Sequence, residues 1–216
     1  MECAVSDLVK EVKVILDRNQ ESDALLTPDD SDTLTQGKLI ESRIEDAATI
    51  IESLAPPHKV DGSHYSPSPT WTFVNGLYVG KLELMDSVMR VLSVRASDWK
   101  RNARIITEHD EEYAYQNSKF GVRGNPDRPI AVLINNRGSN ALELYSSSTN
   151  EGVSLSYVSY PKVENGNINL PQGLKDSVLY MCASLVCVSL GDMTSAANHR
   201  AVAYRLADID EPSQTQ

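Results

Sequence analysis

The stretch Leu174-Lys-Asp-Ser-Val-Leu-Tyr-Met-Cys-Ala-Ser-Leu-Val-Cys-Val-Ser-Leu190 is the part of the sequence that decides how this chain folds. It is almost continuously apolar, and Gly191-Asp192 separates it from a second helical pattern that extends from Met193 to Leu206. The pattern predicts a pair of helices joined by a tight turn. A helix with so little polar surface must be buried on several sides. The burial comes either from neighbouring subunits or from an ordinary helical hairpin that closes its own core.

Two further helices are predicted near the N-terminus from apolar residues that recur at intervals of three and four. We expect the first to begin at a Ser6 cap and to continue to about Arg18. We expect the second to begin near Thr33 or Thr35 and to end at about Leu54, where Pro56-Pro57 forbids further helix.

The middle of the chain alternates between apolar and polar residues, which is typical of strands. A short helix from Asp110 to about Ser118 interrupts this region, and Asn135 to Asn140 reads as a hairpin turn. The predicted strands are Trp71 to Val74, Leu77 to Leu84, Val88 to Val94, Ile130 to Ile134, Ala141 to Tyr145 and Val153 to Tyr160.

These elements predict an α+β fold in which the N- and C-terminal helices form a four-helix bundle. Residues 1–56 and 171–206 would make the bundle, and an antiparallel β-domain, residues 57–170, would be inserted between them. Residues 207–216 would form a C-terminal arm.

The chain of 216 residues has a formal net charge of −10. Residues 1–62 hold fourteen acidic and six basic residues, a net charge of −8 that we assign to the N-terminal helices. A sequence-independent grip on nucleic acid needs the opposite sign, so we expect no direct DNA binding. The longest apolar run, Val178 to Leu190, is shorter than the ~20 residues of a membrane span. Cys3, Cys182 and Cys187 are expected to be reduced core residues, and the pattern predicts a soluble protein.

Few residues suggest chemistry. His58 and His64 flank Asp61, and His109 precedes three acidic residues, but polar loops and helix caps explain such groups more simply than a metal or catalytic site does. His199 is expected to be a packing residue. No Gly-x-Ser-x-Gly elbow, P-loop or Gly-x-Gly-x-x-Gly is present. We predict no catalytic, cofactor-binding or metal-binding residue and no enzyme activity.

A small basic and aromatic cluster is a candidate contact surface. It contains Trp99 with four basic residues, Arg95, Lys100, Arg101 and Arg104. In a chain of net negative charge, these residues are expected to pair with acidic residues of a neighbouring subunit in preference to nucleic acid.

Several of these stretches together resemble the neck-ring or head-to-tail adaptor proteins of crAss-like phages, which infect Bacteroides. The resemblance spans roughly residues 5–206, and its motifs are structural. This chain departs from the family at Met85 to Met89, because the resemblance leads us to expect a turn that contains proline there, and the segment has none. The matching stretches are Ile40 to Pro56, Gly80 to Leu84, Arg90 to Trp99, Gly121 to Pro129, Leu174 to Tyr180, Leu190 to Asp192 and Ala196-Ala197.

The resemblance implies a structural virion protein that forms a dodecameric ring under the portal, connects the capsid to the tail and extends the DNA channel. Its partners would be other copies of itself, the portal protein and the next neck or tail ring protein, while double-stranded DNA passes the lumen without specific binding. It would be made in the bacterial host cytoplasm and would reside in the neck of the virion. The alternatives are a host- or prophage-encoded soluble binding module and a metal-dependent hydrolase that uses His58 and His64.

The C-terminal arm is the segment expected to bind a partner. A helical pattern gives way after Leu206 to an acidic stretch whose one large apolar residue is Ile209, and Pro212 prevents further helix. By resemblance to the adaptors, we expect Leu206, Ile209 and Pro212 to dock on the portal. A disordered tail is the alternative.

Overall fold

The computed structural model describes residues 1–16, 35–116, 124–136 and 139–210. The chain divides into two compact units. The first combines Met1–Asp61 with Tyr160–Gln216, and the second is Gly62–Ser159.

The described residues form five α-helices and eleven strands. The helices are α1 (Val5–Ile15), α2 (Gln36–Leu54), α3 (Glu111–Gln116), α4 (Lys175–Ser189) and α5 (Met193–Ala207), with a single 3₁₀ turn at Gln172–Leu174. The strands are β1 (Glu2–Ala4), β2 (Ser63–Tyr65), β3 (Thr70–Val74), β4 (Leu77–Glu83), β5 (Val88–Ala96), β6 (Arg104–Thr107), β7 (Ile130–Asn136), β8 (Ser139–Ser147), β9 (Val153–Ser159), β10 (Val163–Glu164) and β11 (Asn167–Asn169).

Helix α4 is the centre of the first unit. It contacts α1, α2 and α5, and its buried residues face all round the helix because the sequence provides almost no polar side. Hydrogen bonds also join it to its neighbours: Lys175 Nζ donates to Glu11 of α1 at 2.7 Å, and Ser184 Oγ donates to the carbonyl of Ala196 in α5 at 2.7 Å. Most of the apolar run is therefore buried within the chain itself, as an ordinary hairpin core requires.

A small sheet completes the first unit. Strand β11 lies between β1 and β10, with Cys3 opposite Ile168 in an antiparallel register. The amino group of Met1 donates a hydrogen bond to the carbonyl of Leu170. The first residues of the chain are thus tied to the segment that leads into α4.

The predicted four-helix bundle with an inserted antiparallel β-domain is wrong, although the molecule is α+β. Strand β1 precedes the first helix, and β10 and β11, which fall inside the predicted insertion 57–170, belong with the helices. A bundle needs four helices that each have one apolar side, whereas α4 is apolar all round and is surrounded by the others.

The second unit contains two sheets. One has five strands in the order β3-β4-β8-β7-β6, and the other has three in the order β2-β9-β5. The pairing is not purely antiparallel as predicted, because β6 runs parallel to β7 with Arg104 opposite Ile130. The segment between those two strands contains α3, and it supplies the crossover that a parallel pair requires.

The core of this unit is built by both sheets. Val94 of β5 and Leu155 of β9 share one buried cluster with Leu142 and Leu144 of β8, and Trp99 is buried in the same cluster. On the other face of the five-stranded sheet, Tyr113 of α3 packs against a smaller buried group formed by Ile106, Val132 and Tyr145.

Several local predictions are confirmed. The two C-terminal helices, the second N-terminal helix with Thr35 as its cap, the short helix α3 and the six predicted strands all form with ends that differ by a few residues. The Ser6 cap is wrong, because Ala4 is the N-cap residue of α1 and makes no side-chain cap. Pairing of β1 with β11 sets where this helix begins, and Ser6 lies inside it.

Candidate functional site

A basic pocket on the second unit is the strongest candidate for a contact site. It has a volume of about 330 Å³. Its lining includes three guanidinium groups, and we call it the basic pocket: Arg101, Asn102, Ala103, Arg104, Arg128, Pro129 and Ile130.

The parallel strand pair positions these arginines. The backbone N–H of Arg104, at the start of β6, donates to the carbonyl of Pro129 at 2.9 Å. The side chain of Asn125 then accepts hydrogen bonds from the backbone N–H groups of Asp127 and Arg128, at 3.0 and 2.9 Å, which closes a turn. This turn brings Arg128 beside a cluster from which it is separated by more than twenty residues of sequence.

Only part of the positive charge here is neutralised. Lys100 lies 2.5 Å from the carboxylate of Asp127, and Arg104 lies 2.9 Å from that of Glu112. The hydrogen bond and charge of Lys100, followed by the charges of Arg101 and Arg128, lower the pKa of Asp127. Among the described residues, neither Arg101 nor Arg128 forms a salt bridge within 4 Å, although the charge of Asp127 acts on both. Both arginines are exposed, and their guanidinium donors are accessible to an anion.

The structure alters the predicted basic and aromatic cluster. Trp99 is only 1% exposed and packs in the sheet core, so it offers no surface for stacking. Its carbonyl accepts a hydrogen bond from Nε of Arg95 at 3.2 Å, and this arginine therefore supports the fold instead of the pocket. Arg128 was missed by the sequence analysis. The Asn-Pro-Asp turn before it was the available signal, but the register of β6 on β7 was needed to place it.

The net negative charge of the chain belongs entirely to the first unit. That unit holds twenty acidic and ten basic residues, whereas the second holds ten of each. The described N-terminal helices hold little of this charge, because α1 has two acidic and two basic residues and α2 has a net charge of only −2. Of the net charge of −8 in residues 1–62, −5 belongs to residues 17–34, which lie outside the described residues.

Three exposed carboxylates of the first unit lie on α2 and on the strand β10 that is hydrogen-bonded to it, and we call them the acidic patch: Glu41, Glu45 and Glu164. Glu41 and Glu45 lie one turn apart on α2. A carboxylate oxygen of Glu45 accepts a hydrogen bond from the backbone N–H of Val163 at 2.6 Å, which holds β10, and thus Glu164, against the helix. The guanidinium group of the neighbouring Arg43 forms a salt bridge with the carboxylate of Asp46, with a nitrogen–oxygen distance of 3.3 Å.

Apolar residues are exposed at one end of the helical hairpin. Met193 is 65% exposed, and Val188 and Leu190 are also exposed. They surround the turn between α4 and α5, where the side chain of Asp192 caps α5 by accepting from the N–H of Ser195 at 3.0 Å. At this end of the helix pair these three apolar residues are exposed among the described residues, and Leu206 is exposed at the other end of α5.

The predicted partner-binding residues are only partly described. Leu206 is 41% exposed near the end of α5. Ala207, the first residue of the predicted arm, is buried and helical, and the N–H of Ile209 donates to the carbonyl of Tyr204 at 2.9 Å. Ile209 is half-buried. Pro212 lies outside the described residues, as do residues 211–216 in general.

The histidines are dispersed. His58 follows α2 in the first unit, and His64 is an exposed residue of β2 in the second. His109 is exposed, with Nε2 3.9 Å from Glu108, and the His199 ring lies 6.1 Å from that of Tyr180. Among the described residues, no group of three or more histidine, cysteine, aspartate or glutamate side chains is placed to hold a metal ion.

A second cavity of about 400 Å³ lies on the outer face of the five-stranded sheet, lined partly by Lys81, Gln116 and Glu143. The hydroxyls of Tyr113 and Tyr145 donate to the same oxygen of Glu143, at 3.2 and 2.8 Å. Burial and the adjacent carboxylate raise the pKa of both tyrosines, so they stay protonated as donors. Glu143 thus links α3 to the sheet.

Two buried groups in the first unit have shifted pKa values. Burial, reinforced by the charge of Asp61 and partly offset by the N-terminal amine, raises the pKa of Glu52 to about 7. One of its carboxyl oxygens has no hydrogen-bond partner among the described atoms. Burial also raises the pKa of the Cys182 thiol to about 12, and all three cysteines are buried and free, as predicted.

A scan against models of known protein families found no match, and a search of curated proteins found none either. No helix of the described chain is both long and apolar enough to cross a membrane.

Proposed function

We propose that this chain is a structural virion protein, the subunit of a closed ring that docks under the portal of a tailed phage. In this role it connects the capsid to the tail and extends the DNA channel, and it is made in the bacterial host cytoplasm before joining the neck of the virion. The proposal takes its family, its dodecameric ring and its portal and tail-ring partners from the resemblance to crAss-like phage adaptors.

The separation of charge between the two units is the observation that carries the proposal. The whole net charge of −10 lies in one unit, whereas the other has no net charge and a pocket of arginines. A closed ring is built from heterologous contacts, in which one patch of a subunit meets a different patch of the next. A chain with complementary patches in separate units supplies such a contact.

The same charge supports a passive role toward DNA. Binding to the phosphate backbone requires clustered positive charge that releases counterions. A ring of subunits that each have a charge of −10 repels DNA overall. Double-stranded DNA then moves through the channel without being held.

Native mass spectrometry of the purified full chain, alone and with the portal protein, tests the proposal. We expect one discrete closed oligomer, formed by the chain itself or on the portal. A chain that stays monomeric in both samples contradicts the proposal and favours a binding module. Stoichiometric metal that is lost on His64→Ala replacement favours the hydrolase.

A further inference from the structure

We propose that the basic pocket of one copy binds the acidic patch of a second copy, and that this contact repeats around the ring. The inference rests on the proposed function, because it names the residues through which the subunits of that ring associate. Arg101, Arg104 and Arg128 of one copy would meet Glu41, Glu45 and Glu164 of the next.

The chemistry of the pocket favours carboxylates. A guanidinium group has a planar fork of donors that matches a carboxylate. Two such groups in the pocket, Arg101 and Arg128, form no salt bridge within 4 Å among the described residues, because the nearby Asp127 pairs with Lys100. Arg104 already binds Glu112 and adds charge near the pocket. The pocket has a volume of about 330 Å³ and exposed arginines in its lining, which is room enough to admit the carboxyl end of a glutamate side chain.

Charge complementarity favours a second copy as the partner. The pocket belongs to a unit without net charge, and the acidic patch belongs to the unit that holds the whole charge of −10. Both sets of side chains are exposed. Such an arrangement attracts copies in a head-to-tail orientation and disfavours contacts between like units.

A phosphate backbone is a weaker match for the pocket. A single-stranded nucleic acid site combines positive charge with aromatic rings on which bases stack, and Trp99, the aromatic residue nearest in sequence, is buried. A DNA duplex would also meet the repulsion of the rest of the chain. Nucleic acid is therefore the less favoured ligand of the pocket, and the experiment below includes DNA binding as one of its outcomes.

A charge-swap experiment tests the contact. One variant, Arg101→Glu with Arg128→Glu, makes the pocket acidic, and a second, Glu41→Arg with Glu164→Arg, makes the patch basic. Glu45 stays unchanged because it holds Val163. The control is Lys81→Glu with Arg200→Glu, which changes the net charge as much as the first variant does, at exposed positions outside both surfaces. Circular dichroism establishes that each variant is folded.

We expect wild type and control to form the same oligomer by native mass spectrometry, with the portal protein present if wild type needs it. Each swapped variant alone should lose more than about tenfold in association. An equal mixture should regain the oligomer with the two variants in alternation, because each acidic pocket then meets a basic patch.

Different failures have different meanings. If wild type never forms an oligomer, the proposed function itself fails. If wild type assembles but the swapped variants assemble equally well, the proposed contact is wrong and the proposed ring is not affected. The same conclusion follows if the mixture of the two variants does not regain the oligomer. If the pocket variant assembles normally and instead loses binding of double-stranded DNA, the pocket is a nucleic-acid site and the inference is overturned.

Discussion

The ammonium group of Lys59 lies 2.6 Å from the carboxylate of Asp208 and also donates to the carbonyl of Leu206 at 3.0 Å. Asp208 has a left-handed backbone conformation, with φ 54°, and ends α5. The hydrogen bond from Lys59, together with its charge, lowers the pKa of the Asp208 carboxyl. One side chain from the loop after α2 thus binds the end of the last helix, where the acidic C-terminal segment begins.

Replacing Lys59 should loosen the end of α5 without unfolding the unit. Lys59→Ala removes both contacts, so we expect faster amide hydrogen exchange from Tyr204 to Ile209 with nearly unchanged global stability. Lys10→Ala is the matched control, because it breaks the exposed pair with Asp7 in α1 at 2.8 Å. If Lys59→Ala and Lys10→Ala show the same rate of amide hydrogen exchange at the end of α5, Lys59 does not hold this segment.

The C-terminal segment should be removable after Asp210 but not earlier. Ala207 is buried, and the N–H of Ile209 bonds to Tyr204, so a chain that ends at Leu206 would lose part of the helix cap. We expect removal of residues 211–216, which takes Pro212 but keeps Leu206 and Ile209, to leave the melting temperature unchanged and to weaken binding to the portal protein, as measured by co-sedimentation. Wild-type binding by this shortened chain would show that the portal does not use those residues.

Glu52 should make the first unit less stable as the pH rises. The pKa of Glu52 is about 7 in the folded chain, whereas the ordinary value of 4.5 applies in the unfolded chain. Between pH 4.5 and about 7 the folded chain therefore binds more protons than the unfolded chain. The free energy of unfolding therefore falls as the pH rises through this interval. Glu52→Gln should remove that dependence and stabilise the protein by about 1 to 3 kcal/mol at pH about 8, with little change near pH 4.5.

Urea titration followed by far-UV circular dichroism measures this effect in the first unit, which contains four of the five described helices. Fluorescence is a separate probe, since both tryptophans, Trp71 and Trp99, lie in the second unit. Glu83→Gln, at an exposed carboxyl of β4, is the control. If Glu52→Gln and Glu83→Gln retain the same dependence on pH, Glu52 is not the group responsible.

The two serine or threonine positions near the N-terminal helices should respond differently to alanine. The Oγ1 of Thr35 accepts a hydrogen bond from the N–H of Lys38 at 3.3 Å, so Thr35→Ala should cost about 1 kcal/mol. Ser6 is inside α1 and caps nothing, so Ser6→Ala should change stability by less than about 0.5 kcal/mol. The same urea titration compares them, and an equal loss in both variants would contradict the cap at Thr35.

The sequence predicted the elements with strong local signals. The apolar stripe of α2, the Gly191-Asp192 turn and the alternation in β4 and β5 each depend on residues close in sequence, and the structure has these elements where they were expected. Three-residue strands such as β1 and β11 are too short to show a period. They form because Glu2–Ala4 meets Asn167–Asn169, a pairing that no local pattern encodes.

The candidate contact site depended on the same kind of distant pairing. Lys100, Arg101 and Arg104 were visible as a cluster, but Arg128 joins them only through the parallel register of β6 on β7. The sequence suggested that Trp99 lies on the surface, because aromatic residues often accompany basic residues at contact sites. In the structure Trp99 is instead buried in the core of the second unit. Burial of α4 was likewise predicted, but whether the chain or its neighbours would bury it could be decided only by the packing of α1, α2 and α5 around it.

Under the proposed function a phage encodes this chain, and cryo-electron microscopy of the portal vertex in particles of that phage tests the central claim most directly. We predict a closed ring of this protein against the portal, with the arginines of each basic pocket facing carboxylates of the next subunit and with DNA passing through the lumen unbound. Particles that lack the protein, or that hold it away from the portal vertex, would contradict the proposed function.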